Sequence, residues 1–155
     1  MTIYDVPKQP VDLRRFFEAQ SQHAKDVLSE LNQGKKTTHW MWFVFPQMKG
    51  LGQSKESTFF AIQSIKHAQQ FMEHKGLANR LRYHTKLVLQ HKSKRIEDIF
   101  PFPDSIKFQS SMTLFSLVCP DEPLFKRALD TFFDGDKDIS TLMILSEEMG
   151  NKSKQ

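Results

Sequence analysis

Apolar residues recur along the chain mostly at the 3.6-residue period of amphipathic helices. Within residues 12–31, Leu13, Phe16, Phe17, Ala24, Val27, Leu28 and Leu31 fall on one side of a helical wheel. Arg14, Arg15, Glu18, Gln22, Lys25, Asp26 and Ser29 fall on the other. Asp12 is placed to cap this helix and Gly34 to stop it. Gln20 breaks the pattern, because its amide sits near the middle of the apolar face and needs hydrogen-bond partners from protein or ligand. The run 38–46 is too short for its period to separate a buried strand from a short helix capped by Thr38, and Pro46 ends it either way. Residues 49–54 read as a loop leading into a helix.

Residues 56–74 have helical character through Phe59, Phe60, Ile62, Ile65, Ala68, Phe71 and Met72, with Ser64 placed to cap a second helix midway. A helix over 77–91 carries the stripe Leu77, Leu81, His84 and Val88, with Arg82 and Lys86 turned to water. Ser93 caps a short turn through Ile96 and Ile99, ended by Pro101 and Pro103. Asp104, as a cap, opens a helix over 105–119 whose apolar residues point in most directions, the pattern of a central helix. Two last helices, 124–133 and 141–149, flank the turn Asp134-Gly135-Asp136. Five to eight helices with little strand signal predict an all-α fold in a single compact multi-helix domain.

Composition narrows the class. A chain of 155 residues with 39% hydrophobic content and 14 Phe can build one core, and the expected domain is 1–155 with loosely ordered ends at about 1–10 and 150–155. Residues 1–10 lack the apolar run of a secretory signal. The apolar stretch 40–45 is far shorter than the roughly 20 residues of a membrane span. The single Cys119, beside Leu117, Val118 and Pro120, reads as a buried small hydrophobe and suits a reducing compartment, so a cytoplasmic location is expected.

Charge adds a second pattern. Residues 1–34 hold 4 basic and 5 acidic groups, 35–95 hold 12 and 2, and 96–155 hold 6 and 11. Five of the six histidines lie in the basic middle. Such asymmetry either focuses an anion on one region or is neutralised when middle and ends fold together. With Trp40, Trp42 and Tyr83 available for stacking, it leaves open a nucleic-acid or protein interaction module using the basic 35–95 surface.

Known chemical signatures do not occur: there is no phosphate-binding glycine loop, no paired-cysteine zinc site and no His-Glu-x-x-His. His67 and His74, like His84 and His91, stand seven residues apart, two helical turns and too far to share a metal. The acidic run 134–138 begins like a calcium loop, but the twelfth position counted from Asp134 is Leu145. Neither metal nor cofactor is expected.

One motif stands out. His39-Trp40-Met41-Trp42-Phe43-Val44-Phe45-Pro46-Gln47, followed by Gly50-Leu51-Gly52-x-Ser54, resembles the signature of the DUF1810 family of small bacterial proteins. Phe16-x-x-Ala19-Gln20, Ser110-Ser111-Met112-Thr113-Leu114-Phe115, Phe132-Phe133-x-Gly135 and Asp138-x-x-Thr141-Leu142 extend the resemblance over nearly the whole chain. It implies a single, mainly helical domain of unestablished biochemical function, and it lends no reaction. Three places depart from the family pattern: Phe60-Ala61-Ile62 stands for Tyr-Gly-Ile, His74-Lys75 for His-Pro, and His67 for an acidic residue, which removes a capping box with Ser64.

The polar members of these motifs, Gln20, His39, Gln47, Lys107, Ser110, Ser111 and Thr113, are embedded in apolar sequence and must be satisfied. In one reading they are structural: Gln20 and Gln47 brace irregular backbone near Pro46, His39 binds a carbonyl, and Ser110 and Thr113 permit close helix packing. In the other they converge on a pocket walled by Trp40, Trp42 and Phe45 and floored by Ser110 and Ser111. Lys107 and the amides around Gly50 and Gly52 would then meet the anionic group of a nucleotide-like ligand. His39 is the candidate general acid–base for a hydrolase or transferase version of that site. Asp104 and Lys107, one turn apart, are a second candidate charge pair unless Asp104 serves only as the cap.

Overall fold

Where the sequence keeps an apolar stripe, the chain is helical. The computed structural model describes residues 12–153 and orders them as α1 (Arg14–Gln33), α2 (Met41–Val44), α3 (Lys55–Phe59), α4 (Ile65–Glu73), α5 (Lys75–Leu89), α6 (Ile96–Ile99), α7 (Asp104–Val118), α8 (Pro123–Phe133) and α9 (Ile139–Ser153). Among the described residues the one β pairing is an isolated parallel bridge between Met48 and Ile62. The fold is all-α. The nine segments among the described residues exceed the expected range only by counting the four-residue helices α2 and α6. Residues 1–10, expected to be loosely ordered, lie outside the described ones, and α9 continues through Ser153 into the stretch expected to fray.

α7 is the central helix, as its all-round apolar pattern predicts: Phe108, Ser111, Met112, Thr113, Leu114 and Phe115 are fully buried. It is packed by α2, α4, α6, α8 and α9. Ile106 and Leu117 remain exposed, which marks the sides α7 turns outward. The aromatic core has two lobes. In one, Phe45 meets Phe108 and Phe100 at ring separations of 5.0 and 5.8 Å, with Trp40 edge-on to Phe100. In the other, Phe16 packs on Phe71 and Phe60, and Phe71 reaches Phe115 of α7 at 5.5 Å. α1 and α5 run side by side in the same direction: Phe17 meets Arg80 near their starts, and His91 bonds the Leu31 carbonyl near their ends.

Four expected helix caps fall elsewhere, and one side chain changes its surroundings. Trp40 rather than Thr38 precedes α2 and Arg95 rather than Ser93 precedes α6, neither with a side-chain cap. Leu13, not Asp12, holds the cap position of α1, and Asp12 acts from one residue further out by accepting from the Arg14 amide at 2.9 Å. Arg15, assigned to the water side, is buried; its guanidinium donates to the carbonyls of Phe59 and Asp12, and burial lowers its pKa to about 10. Asp104 is the first residue of α7 rather than its cap, so its carboxylate is free to turn elsewhere. Gly34 stops α1 at φ 74°, where a Cβ would lie 2.6 Å from His91. Ser64 caps α4 as expected. The missing acidic residue is replaced in kind: His67 Nδ1 accepts from the Gln63 amide at 2.9 Å while its own amide donates to Ser64.

The bend between α1 and α2 is organised by Glu30. This buried carboxylate accepts from the amides of Thr37 and Thr38, the Thr38 hydroxyl and the Trp40 indole. Burial pushes its pKa up, but the four hydrogen bonds together outweigh burial and hold it below the ordinary 4.5. His67 and His84 are pushed the other way for a base. Burial first, then the cations of Arg15 and Arg80 respectively, lowers each to about 4, so both are neutral at pH 7.

Two predictions follow from these groups. Glu30→Gln keeps the volume but removes the charge: its one oxygen can serve the amides of Thr37 and Thr38 and the Trp40 indole, while its NH2 takes the place of the oxygen that accepts from the Thr38 hydroxyl. We expect a loss of about 3 kcal/mol in urea unfolding at pH 7, and no loss would overturn the bracing role. Between pH 6.5 and 4 the unfolded chain binds protons that folded His67 and His84 refuse, so stability falls as pH is lowered through that window. Unfolding midpoints at pH 7 and 5 test this, with a shallower dependence expected for His84→Gln.

Candidate functional site

The first turn of α7 meets the segment between α1 and α2 through a shared carboxylate. The Lys36 amide is fixed to the Ile99 carbonyl at 2.8 Å, which directs its side chain toward Asp104. Lys36 Nζ donates to Asp104 Oδ2 at 2.7 Å, and Lys107 Nζ stands 3.6 Å from Oδ1 of the same group. Each ammonium also lies over a tryptophan, Lys36 over Trp40 and Lys107 over Trp42, both 5.3 Å from the ring centre. Two cations on one anion leave a net positive charge above an aromatic floor. The Lys36 side chain is 6% exposed and that of Lys107 23%, so the looser and more accessible cation is Lys107.

Beside Lys107, Trp42 is half-buried and its indole N–H is fully buried without a partner. A cavity of about 10 Å³ adjoins it, walled by Trp42, Gln47, Met48, Gly52, Ser57 and Phe60. That volume admits one water-sized group. The wall is held by local chemistry. The Gln47 carbonyl accepts from Ile62 and Lys49 donates to Ile62, a clamp that closes the 47–62 segment. Ser54 caps α3 by accepting from the Ser57 amide. Gly52 lets the loop come this near, since a Cβ there would lie 2.4 Å from the Ser57 hydroxyl.

Three residues expected at a ligand site, Trp42, Gln47 and Gly52, line this cavity, and a fourth, Lys107, lies over the Trp42 ring without lining it. The others are placed differently. Gln20 is buried in α1, donates to the Phe43 carbonyl at 2.7 Å and accepts from Arg80. Trp40 is wholly buried, with its indole on Glu30. Gly50 is an exposed turn residue at φ 94°, and His39 is exposed just before α2. Ser110 faces Thr141 of α9 at 2.7 Å. Thr113 accepts from the Asp138 amide, and Asp138 in turn binds Thr141, so the acidic turn caps α9. Ser111, one helical turn beyond Lys107, is fully buried and its hydroxyl has no partner.

Glu30, Lys36 and Arg80 were not singled out by sequence. For Glu30 a signal existed, because it sits between Val27 and Leu31 on the apolar side of α1. For Lys36, whose partner is 68 positions away, none did. Cys119 is half-buried rather than buried; burial first, then Glu122, raises its thiol pKa. Among the described residues no group of three or more His, Cys, Asp or Glu side chains is arranged to hold a metal ion, and no helix is long and apolar enough to cross a membrane.

Comparisons agree with the geometry of the fold. The crystal structure of the conserved hypothetical protein Rv1873 from Mycobacterium tuberculosis is 40% identical in sequence, with a TM-score of 0.86. The similarity covers 89% of this chain and 99% of that one. None of the curated proteins matches the chain. The model of the family described as "Protein of unknown function (DUF1810)" matches residues 10–145, and the chain belongs to that family.

Proposed function

We propose that this protein binds a small anionic, nucleotide-like ligand at the cleft between Trp42 and Lys107. The observation that carries the reading is a donor-rich, cationic corner on an aromatic surface. Lys107 holds only a distant share of a carboxylate that Lys36 already engages, and it stands over Trp42, whose N–H lacks an acceptor. A buried N–H without an acceptor costs about 1–3 kcal/mol, which a ligand oxygen would recover. The cavity takes one such oxygen, so the body of the ligand lies outside it. There its charge meets Lys107 and its ring the exposed part of Trp42. Ser110, Trp40 and Gln20 are engaged in the fold and belong to the scaffold of this site, not its surface.

Titration of nucleoside monophosphates at low and high salt, followed by tryptophan fluorescence and thermal shift, tests the reading. We expect stabilisation that survives high salt, as for a ligand partly removed from water. Lys107→Ala should weaken binding about tenfold or more, the scale of one charge-assisted contact, while the free protein keeps its melting temperature within a few degrees. Unchanged affinity in Lys107→Ala would overturn the site. Binding of nucleic acids alone, vanishing at high salt, would move recognition to the basic 35–95 surface instead.

A further inference from the structure

An open groove of about 810 Å³ lies between the end of α4 and the turn that joins α7 to α8, within the size range of small-molecule sites. Its apolar lining comes from Met72 of α4 and from Val118, Cys119, Pro120 and Pro123 around the turn. The turn is fixed by two backbone bonds. The Cys119 amide closes α7 on the Phe115 carbonyl at 2.9 Å, and the Glu122 amide returns to the Cys119 carbonyl at 3.1 Å. Pro123 then opens α8, where its missing N–H costs nothing. Cys119 is half-buried; burial first, then Glu122, raises its thiol pKa, so it joins the lining as a neutral group.

The rim of the groove carries its charge. Arg82 of α5 is already engaged: its Nε donates to both oxygens of Glu122 at 2.9 Å, and Nη1 reaches the Asn79 side chain at 3.4 Å. That pair ties the turn to α5 and is neutral as a whole. Glu73 and Asp121 remain. Both are exposed, and neither carboxylate has a hydrogen bond or ion pair among the described residues. Glu73 is the last residue of α4, where the carbonyl end of the helix dipole disfavours an anion. Asp121 precedes the cap residue of α8 without making a capping bond. The lining thus holds three carboxylates against one guanidinium, a net of two negative charges on a chain whose overall charge is +4.

We propose that this groove is a separate binding site for a small aliphatic diammonium ion. One ammonium meets Glu73 on α4, the other meets Asp121 on the turn, and the methylene chain between them covers Met72, Val118 and Pro120. A monocation would leave one of the two carboxylates unmet, and an anion would be repelled by both. The site shares no residue with the Trp42–Lys107 cleft and takes the opposite charge, so the two stand or fall independently.

Calorimetric titration with the α,ω-diamines from 1,4-diaminobutane to 1,8-diaminooctane, against the matching monoamines, tests the proposal. The best diamine should bind at least about tenfold more tightly than the monoamine of its length. Glu73→Gln and Asp121→Asn should each lose about tenfold for that diamine. The free variants should keep their melting temperature within a few degrees, since neither carboxylate has a partner to lose. Glu97→Gln, which removes an exposed carboxylate from α6, should lose nothing, and neither should Lys107→Ala. Binding of no diamine in the series, equal binding of diamine and monoamine, or wild-type affinity in Glu73→Gln or Asp121→Asn would each overturn it. An equal loss in Glu97→Gln would overturn it as well, by reducing the effect to overall charge.

Discussion

A single buried carboxylate sets the geometry on which the rest of this molecule depends. Glu30 gathers four donors from residues 37–40, which bends the chain back sharply after α1 and lays α2 against it. A buried charge is tolerated only when it is fully hydrogen-bonded, so the conformation of the bend is tightly specified. From there the contacts pass outward in order. Glu30 holds the Trp40 indole, Trp40 lies under Lys36, Lys36 binds Asp104, and Asp104 shares its charge with Lys107 above Trp42. The candidate cleft is the last link of that chain. Its two tryptophans differ because one indole N–H is used by the fold and the other is not.

The uneven charge of the sequence is partly cancelled by folding. Lys36 with Asp104 and Arg82 with Glu122 join the basic middle to the acidic C-terminal third. Glu148 of α9 does the same for a backbone group, accepting the first amide of α4 with both oxygens at 3.0 Å. Lys49, Lys66, Lys86 and Lys92 stay exposed. Long-range neutralisation thus operates at specific seams, where it docks helices, and leaves these four lysines as solvated surface. Exposed pairs of this kind contribute little to stability; the nearly buried Lys36–Asp104 pair contributes register, by fixing where α7 begins relative to the bend.

The fold was legible because its signals are local. Helical period, Gly34 as a stop, Ser64 as a cap and the apolar circumference of α7 are all written within a few residues of where they act. Side-chain environment was less legible, because it depends on which helix comes alongside. Arg15 lies on the polar side of the wheel yet is covered, with Phe59 as its acceptor 44 positions away. Phe17 lies on the apolar side yet stays 37% exposed, because Arg80 and His74 meet it where a core residue would stand. Of the motif's polar residues, the sequence identified that Gln20, Ser110 and Thr113 needed partners. It did not contain the identity of those partners, which come from α2, α9 and the turn before α9.

That distinction between satisfied and unsatisfied polar groups separates scaffold from site. Four buried side-chain atoms lack partners among the described residues: Trp42 Nε1, His67 Nε2, His84 Nδ1 and Ser111 Oγ. Burial keeps the two imidazoles neutral, which lowers the cost of leaving one ring nitrogen idle. Ser111 can turn its hydroxyl, and it sits one turn from Lys107 on a helix that has little room to move. Trp42 alone combines an unused N–H with an adjoining cavity and an ammonium over its ring. The void beside that unmet donor is bordered by Gly52, where no side chain can be added to fill it. A side chain there would collide with Ser57, so the cap of α3 and the opening beside Trp42 are maintained by the same glycine.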